Sequence, residues 1–148
     1  MGSHGGTTPR QISKIRNNPW LLDYQSPSSE YLQPSQNAFH VLGVYGFSNL
    51  INVLLARDQD IDPDRQDDYG RTPLSYAAES GHTELVKALS SDGRVDLDRQ
   101  DNEGRTALSY AAQHGHTEVV KALLSDCRVD PNRQDAFGRT PLSQAAEK

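Results

Sequence analysis

Cysteine is nearly missing from this chain: Cys127 is the single one in 148 residues. One thiol excludes an intramolecular disulfide framework. No Asn-x-Ser/Thr acceptor sequence is present either, so a reducing, cytoplasmic compartment is expected. Long apolar runs are also missing. None approaches the roughly 20 residues that a membrane-spanning helix needs, and no secretory apolar region follows Met1; no membrane partner is expected. Hydrophobic residues make up 34% and aromatics 7% of the chain, which limits the core to a modest size. An excess of positive charge is missing as well. Fifteen Lys and Arg face twenty Asp and Glu, a net charge of -5. A binder of phosphate backbones needs a basic face, so nucleic acid is not an expected partner. No nucleophile–base pair, phosphate-cradling glycine loop or basic-aromatic stripe stands in the sequence. An enzyme is not expected, and neither is a cofactor.

What is present is a repeat. Gly70-Arg71-Thr72-Pro73-Leu74-Ser75-Tyr76-Ala77-Ala78 returns as Gly104-Arg105-Thr106-Ala107-Leu108-Ser109-Tyr110-Ala111-Ala112, and begins again at Gly138-Arg139-Thr140-Pro141-Leu142-Ser143. Residues 65–98 laid on 99–132 differ at ten of 34 positions, leaving 24 identities. A period of this length signals stacked helical units, each burying apolar surface only against its neighbours.

Within a unit the signals are local. Thr72 before Pro73 starts a helix. Leu74, Ala77 and Ala78 form one apolar stripe, and Gly81 stops the helix. Thr83 is expected to cap a second helix with Leu85, Val86, Ala88 and Leu89 on its apolar face. The Asp- and Gly-rich run from Ser91 to Gly104 reads as an extended loop or β-turn. The next unit repeats the pattern with Leu108, Ala111 and Ala112, then Val119, Val120, Leu123 and Leu124.

Thr72-Pro73-Leu74, Ala77-Ala78, Gly81-His82 and the paired Val119-Val120 and Leu123-Leu124, followed by an Asp/Gly turn, resemble the ankyrin repeat. The resemblance covers residues 37–148. It implies an all-α solenoid of helix-turn-helix units with β-turn or hairpin fingers, and a non-catalytic protein-binding function on the concave face. Three departures mark this array. The period is 34 where about 33 is usual. Ser75, Ser109 and Ser143 stand in the family's histidine slot. Arg94-Val95-Asp96-Leu97-Asp98 and Arg128-Val129-Asp130-Pro131-Asn132 replace the usual Gly-Ala-Asp-Val-Asn stretch. That style resembles the C-terminal arrays of fungal NLR-like (STAND) receptors, which implies an alternative role as a sensor or autoinhibitory arm docking on another domain of the same chain.

The expected organisation is a disordered, tag-like tail over residues 1–10, an N-terminal capping segment over 11–36, and the repeat domain over 37–148. The repeat domain divides into a divergent unit at about 37–67, full units at 68–101 and 102–135, and a partial unit at 136–148. In the cap, Asn18 and Pro19 would start a short helix carrying Trp20, Leu21 and Leu22. Sliding the divergent unit by 35 residues puts Phe39 on Leu74, His40 on Ser75, Gly46 on Gly81 and Leu50 on Leu85, so His40 holds the histidine slot. Val44, Tyr45 and Phe47 are apolar where later units have Glu79, Ser80 and His82, and the capping segment is expected to cover them. The sequence ends one helix into its last unit, so Leu142, Ala145 and Ala146 are expected to lack half their packing, as in a fragment of a longer array or a frayed end.

Most polar residues read as scaffold. Arg65, Arg99 and Arg133 form one ladder, Arg71, Arg105 and Arg139 another, Asp67, Asp101 and Asp135 a third; repeat-to-repeat stitching is expected of them. Asp60, Asp62 and Asp64 start like a calcium loop, but Arg65 stands where glycine is required and no closing acid follows, so a local turn is expected. His82 and His116 lack ligand-spaced partners and are expected to bond turn backbone, while Cys127 reads as an inert thiol. His114 falls in a variable slot and reads as an exposed contact residue.

The differences between units point to function. Large changes fall at the turn tip, in Asp68-Tyr69, Asn102-Glu103 and Ala136-Phe137. They fall again at the end of the first helix, in Glu79-Ser80, Gln113-His114 and Glu147-Lys148. The resemblance places both on the concave face. The expected contact residues are therefore Asp68, Tyr69, Glu79, Ser80, Asn102, Glu103, Gln113, His114, Ala136 and Phe137, joined by Tyr76 and Tyr110 from the same helices.

Overall fold

The computed structural model describes residues 35–57 and 59–147. The expected tail and all but the last two residues of the capping segment lie outside them. Seven helices are present among the described residues: α1 Ala38–Tyr45, α2 Ser48–Arg57, α3 Pro73–Ser80, α4 Thr83–Ser90, α5 Ala107–Gln113, α6 Thr117–Leu124 and α7 Pro141–Ala146. They alternate between two layers. The first helices α1, α3, α5 and α7 pack in sequence, and the second helices α2, α4 and α6 pack in a row behind them. No strand occurs among the described residues; the loops between units form turns.

Each first helix starts on the same device. The hydroxyls of Thr72, Thr106 and Thr140 accept from the backbone N–H groups of Ser75, Ser109 and Ser143, and each serine hydroxyl accepts the threonine N–H in return. These capping boxes satisfy two otherwise orphaned donors per helix. Asn37 and His40 do the same for α1. His40 Nδ1 accepts from the Asn37 N–H at 3.1 Å, and Nε2 donates to the Arg71 carbonyl at 3.1 Å. Serine is long enough for the cap but stops there: Ser75 Oγ turns back to the Thr72 carbonyl. Only the divergent unit uses this slot to reach its neighbour.

Glycine ends two of the first helices, while His114 and Glu147 hold the C-cap position of α5 and α7. Gly46 and Gly81 cap α1 and α3 in the left-handed region, at φ 76° and 77°, where a Cβ is strained. The next unit exploits the missing side chain. The His82 ring lies 2.5 Å from where a Gly46 Cβ would be, and His116 Nδ1 2.6 Å from that of Gly81. His82 Nε2 donates to the Val44 carbonyl at 3.3 Å, and His116 Nε2 to the Glu79 carbonyl at 2.8 Å. The two histidines thus bond the helix end of the preceding unit and join repeat to repeat. This also corrects the expected cap of the second helices. Thr83 is the first helical residue; His82 holds the N-cap position, and its side chain makes no capping bond.

The apolar stripes meet between the layers. Leu74, Ala77, Ala78, Leu85, Val86 and Leu89 are each at most 1% exposed, and full burial of one such leucine contributes about 1.5–3 kcal/mol. Val95, Leu97 and Val129 fold in from the trailing loops and pin them to the same core. The divergent and partial units differ from the full ones. Leu85 faces the preceding unit and is buried, whereas Leu50, in the same slot of the divergent unit, is 53% exposed; Ile51 takes over as that helix's core residue. Tyr45 and Phe47 are exposed and stack on each other at 6.0 Å. Leu142 is 79% exposed against 1% for Leu74. It borders an apolar groove of about 480 Å³ with Leu108, Val120, Leu124 and Pro141.

Gly81 and Gly115 separate two effects. Both have positive φ, but a Gly115 Cβ would meet nothing within 4 Å. Gly115→Ala is expected to lose only the left-handed penalty of about 1–2 kcal/mol. Gly81→Ala is expected to lose about 1–3 kcal/mol more by colliding with His116. Urea unfolding of both variants measures the difference, and equal losses would remove the histidine joint from the account.

Candidate functional site

The fingers are built around one carboxylate each. Asp67 Oδ1 accepts the Tyr69 and Arg71 N–H groups at 3.0 and 2.9 Å. The Asp67 N–H in turn donates to the Arg71 carbonyl, and the Gly70 N–H to the Asp67 carbonyl, both at 2.9 Å. Asp101 and Asp135 repeat the arrangement with Glu103 and Arg105, and with Phe137 and Arg139. Such Asx-type bonding makes a tight turn without strand pairing.

The other carboxylate oxygen corrects one expectation. Tyr76 and Tyr110 are 8% and 3% exposed and do not project as contact residues. Their hydroxyls donate to Asp67 Oδ2 and Asp101 Oδ2, each at 2.5 Å. In the last unit Gln144 Nε2 takes the same place against Asp135, at 2.9 Å. Burial, and then the hydrogen bond to an acid, push both phenols well above their usual range, so they stay protonated donors. Burial opposes ionisation of Asp67, yet the Tyr76 hydroxyl, the Gln36 amide and the Arg71 and Tyr69 N–H groups hold it below the usual range.

The fingers are also tied to one another. The Asn102 N–H donates to the Tyr69 carbonyl at 3.0 Å, and the Ala136 N–H to the Glu103 carbonyl at 2.8 Å. Asn102 Nδ2 reaches the Asp68 carbonyl at 2.9 Å. Gln66 Nε2 bridges the carbonyls of Gly70 and Gln100, and Gln100 Nε2 those of Gly104 and Gln134. The glutamine ladder was not singled out in the sequence; its 34-residue spacing was the available signal.

On this frame the variable residues separate. Asp68, Tyr69, Asn102, Glu103, Ala136 and Phe137 are exposed at the finger tips, with Tyr69 56% and Phe137 70% accessible. At the first-helix ends Ser80 and His114 are exposed, and Glu79 and Gln113 are half-buried. Glu79 closes on Arg71, and His114 Nδ1 bonds the Tyr110 carbonyl at 2.9 Å while its ring stacks on His116 at 6.2 Å. Asn102 and Ala136 serve the lateral ladder through their backbone, and Asn102 through its amide as well.

The arginine ladders divide the work expected of both. Arg99 Nε reaches Asp64 of the preceding unit at 2.7 Å, and Arg133 reaches Gln100 at 3.3 Å, so this ladder stitches units. The other closes its own finger: Arg105 and Arg139 bind Asp101 and Asp135 at 3.3 and 2.9 Å. The Arg71 guanidinium reaches the next unit through a ring, lying 3.9 Å from the Tyr76 centroid and 4.3 Å from that of Tyr110. The acidic loops are locally bonded turns, with Asp62 Oδ1 accepting the Asp64 N–H at 2.9 Å and Asp96 Oδ1 the Asp98 N–H at 3.0 Å, and loops of neighbouring units are linked, the Asp130 N–H donating to Asp98 Oδ2 at 2.8 Å. Among the described residues no group of three or more His, Cys, Asp or Glu side chains is placed to hold a metal ion. Cys127 is a free, exposed thiol.

A family model for ankyrin repeats, in three copies, matches residues 33–135, more than half of the chain. The chain belongs to the ankyrin repeat family. Ankyrin repeats are generally protein–protein interaction modules and typically non-catalytic. No curated protein matches this ankyrin chain. None of its helices among the described residues is long and apolar enough to cross a membrane.

One stitch of the ankyrin stack is sensitive to pH. Asp64 is 5% exposed and its Oδ1 has no partner. Burial pushes its carboxyl up from 3.8 to about 6, against the pull of Arg99. The folded value lies above the unfolded one, so this group's contribution to stability is present below pH 3.8 and is lost as pH rises through about 6. Asp64→Asn is expected to melt above the wild type at pH 8 and to lose that advantage at pH 3.5; an advantage independent of pH would show that Asp64 is not the titrating group.

Proposed function

We propose that this ankyrin array binds a protein partner on the side formed by the finger tips and the ends of the first helices, with Tyr69 and Phe137 as its anchors. The observation that carries the reading is the exposure of these two rings, 56% and 70%, on turns that are hydrogen-bonded both internally and to each other. Large aromatic side chains lose little conformational entropy on binding and dominate interface energetics. A ring presented on a pre-ordered turn loses less still. Tyr69 and Phe137 stand two units apart. That is roughly 20 Å at ordinary helix-packing distances of 8–10 Å, within the span of a standard interface.

The surrounding residues fit this use. Glu103 lies between the rings in the finger order, and Asp68, Ser80 and His114 supply an exposed polar rim. Tyr76 and Tyr110 serve the surface from beneath, by fixing the carboxylates that shape the turns. The reading is the same whether the partner is a separate protein or another domain of the same chain.

Tyr69→Ala combined with Phe137→Ala is expected to abolish capture of the partner by the immobilised chain and to leave the melting temperature nearly unchanged, because neither ring contributes to the core. Capture by the double variant at wild-type level would refute the assignment.

A further inference from the structure

The charges on this side are distributed unevenly. Of the lysines among the described residues, Lys87 lies on α4 and Lys121 on α6, in the second-helix layer, paired with Glu84 and Glu118. The cations that flank the finger tips are Arg71, Arg105 and Arg139, with side chains 15%, 24% and 34% exposed, and each already holds a carboxylate; Arg65, Arg99 and Arg133 are exposed at the finger roots, with Arg99 on Asp64 and Arg133 on Gln100. The acids at the tips are more open than the cations that flank them. The Glu103 side chain is 54% exposed and Asp68 is exposed.

Glu103 is the best placed of these. Its N–H donates to Asp101 and its carbonyl accepts from Ala136, so its backbone is fixed from both sides. Among the described residues its side chain makes one ion pair, from Oε1 to Arg105 at 3.3 Å. Arg105 is itself less committed to the helix end than its counterparts. Arg71 closes on Glu79 and Arg139 on Glu147, but the corresponding residue of the middle unit is Gln113. Arg105 therefore leans on Asp101 and Glu103 within its own finger. A pair this exposed is screened by water and readily shared, which leaves Oε2 of Glu103 available to a second cation. The flanking fingers present the Tyr69 and Phe137 rings, and rings beside a carboxylate suit a long basic side chain. Its aliphatic stem packs against an aromatic face while its charged end reaches the acid.

We infer that the partner presents a basic segment, and that one of its lysine or arginine side chains ion-pairs with Glu103 between Tyr69 and Phe137. This rests on the reading of the finger side as the partner surface. Charge complementarity supports it: the chain carries a net charge of -5, and the charged residues exposed at the finger tips, Asp68 and Glu103, are both acidic. Association with a basic segment would be steered electrostatically and weakened by salt.

A displayed library of random 12-residue peptides, selected on the immobilised wild-type chain, tests this. Peptides enriched in Lys or Arg beside apolar residues are expected. They should bind Glu103→Lys at least tenfold more weakly than the wild type, Glu103→Gln several-fold more weakly, and the wild type more weakly at 0.5 M salt. The Glu103 side chain takes no part in the core, so both variants should melt as the wild type does. Enriched peptides that are neutral or acidic, or that bind Glu103→Lys as well as the wild type, would overturn the basic segment. If such peptides are still lost with Tyr69→Ala and Phe137→Ala together, the binding surface stands and only the charge assignment fails. If no selected peptide is lost with that pair, both readings fall.

Discussion

The carboxylate at the base of each finger is the constraint on which the rest of the surface depends. Asp67, Asp101 and Asp135 are 6%, 9% and 7% exposed, and each divides its two oxygens between two tasks. One oxygen gathers two backbone N–H groups and sets the turn. The other receives a donor from the first helix, a tyrosine hydroxyl in two units and the Gln144 amide in the third. A buried acid without these donors would be strongly destabilising. With them it fixes the finger to the helix, and so fixes where Tyr69, Glu103 and Phe137 stand. The exposed residues vary between units because the buried ones hold their position for them.

The same arrangement separates the core in space from the exposed finger tips. The core lies between the two helix layers and along the roots of the loops, where leucine, valine and alanine exclude water. The joints between units are polar and carried by backbone atoms: histidine to carbonyl, glutamine to carbonyl, finger amide to finger carbonyl. They bear directly on the neighbouring main chain, and among the tip side chains described the Asn102 amide alone takes part in them. A tip residue can change its chemistry completely, from tyrosine to glutamate to phenylalanine across three units, without disturbing a joint.

Much of this was legible in the sequence because the signals were local. Pro73 after Thr72, the left-handed glycines and the apolar stripes act within a few residues, and the helices fall where those residues put them. The mismatched positions at the tips also face solvent, since a residue that does not hold the scaffold is free to differ. Tyr76 and Tyr110 were misplaced for a definite reason. Two residues beyond Leu74, Tyr76 points away from the helix's apolar stripe, which helical periodicity reads as outward. The finger of the same unit folds over that flank and buries it, and a helical wheel contains no term for a turn arriving from outside the helix. Thr83 was misassigned similarly: threonine is a good capping residue, but the chain gives the cap position to His82, whose ring is needed on the neighbouring unit. Leu50 was also misread by alignment alone: it shares the slot of Leu85, but Ile51 fills the core place of its helix.

The glycine-and-histidine joint has a consequence for how such a chain can change. The missing side chain at the end of one first helix and the ring at the start of the next second helix belong to different units, yet both recur in the same repeat. Every unit therefore carries one half of each joint it makes. Full units of this kind are interchangeable: one could be duplicated, deleted or moved within the array, and the new neighbours would still fit, provided the change spans a whole period. Insertion of a single residue inside a helix pair enjoys no such tolerance, because it would shift the ring off the glycine. Length is thus an easily altered property of this array, and register a fixed one.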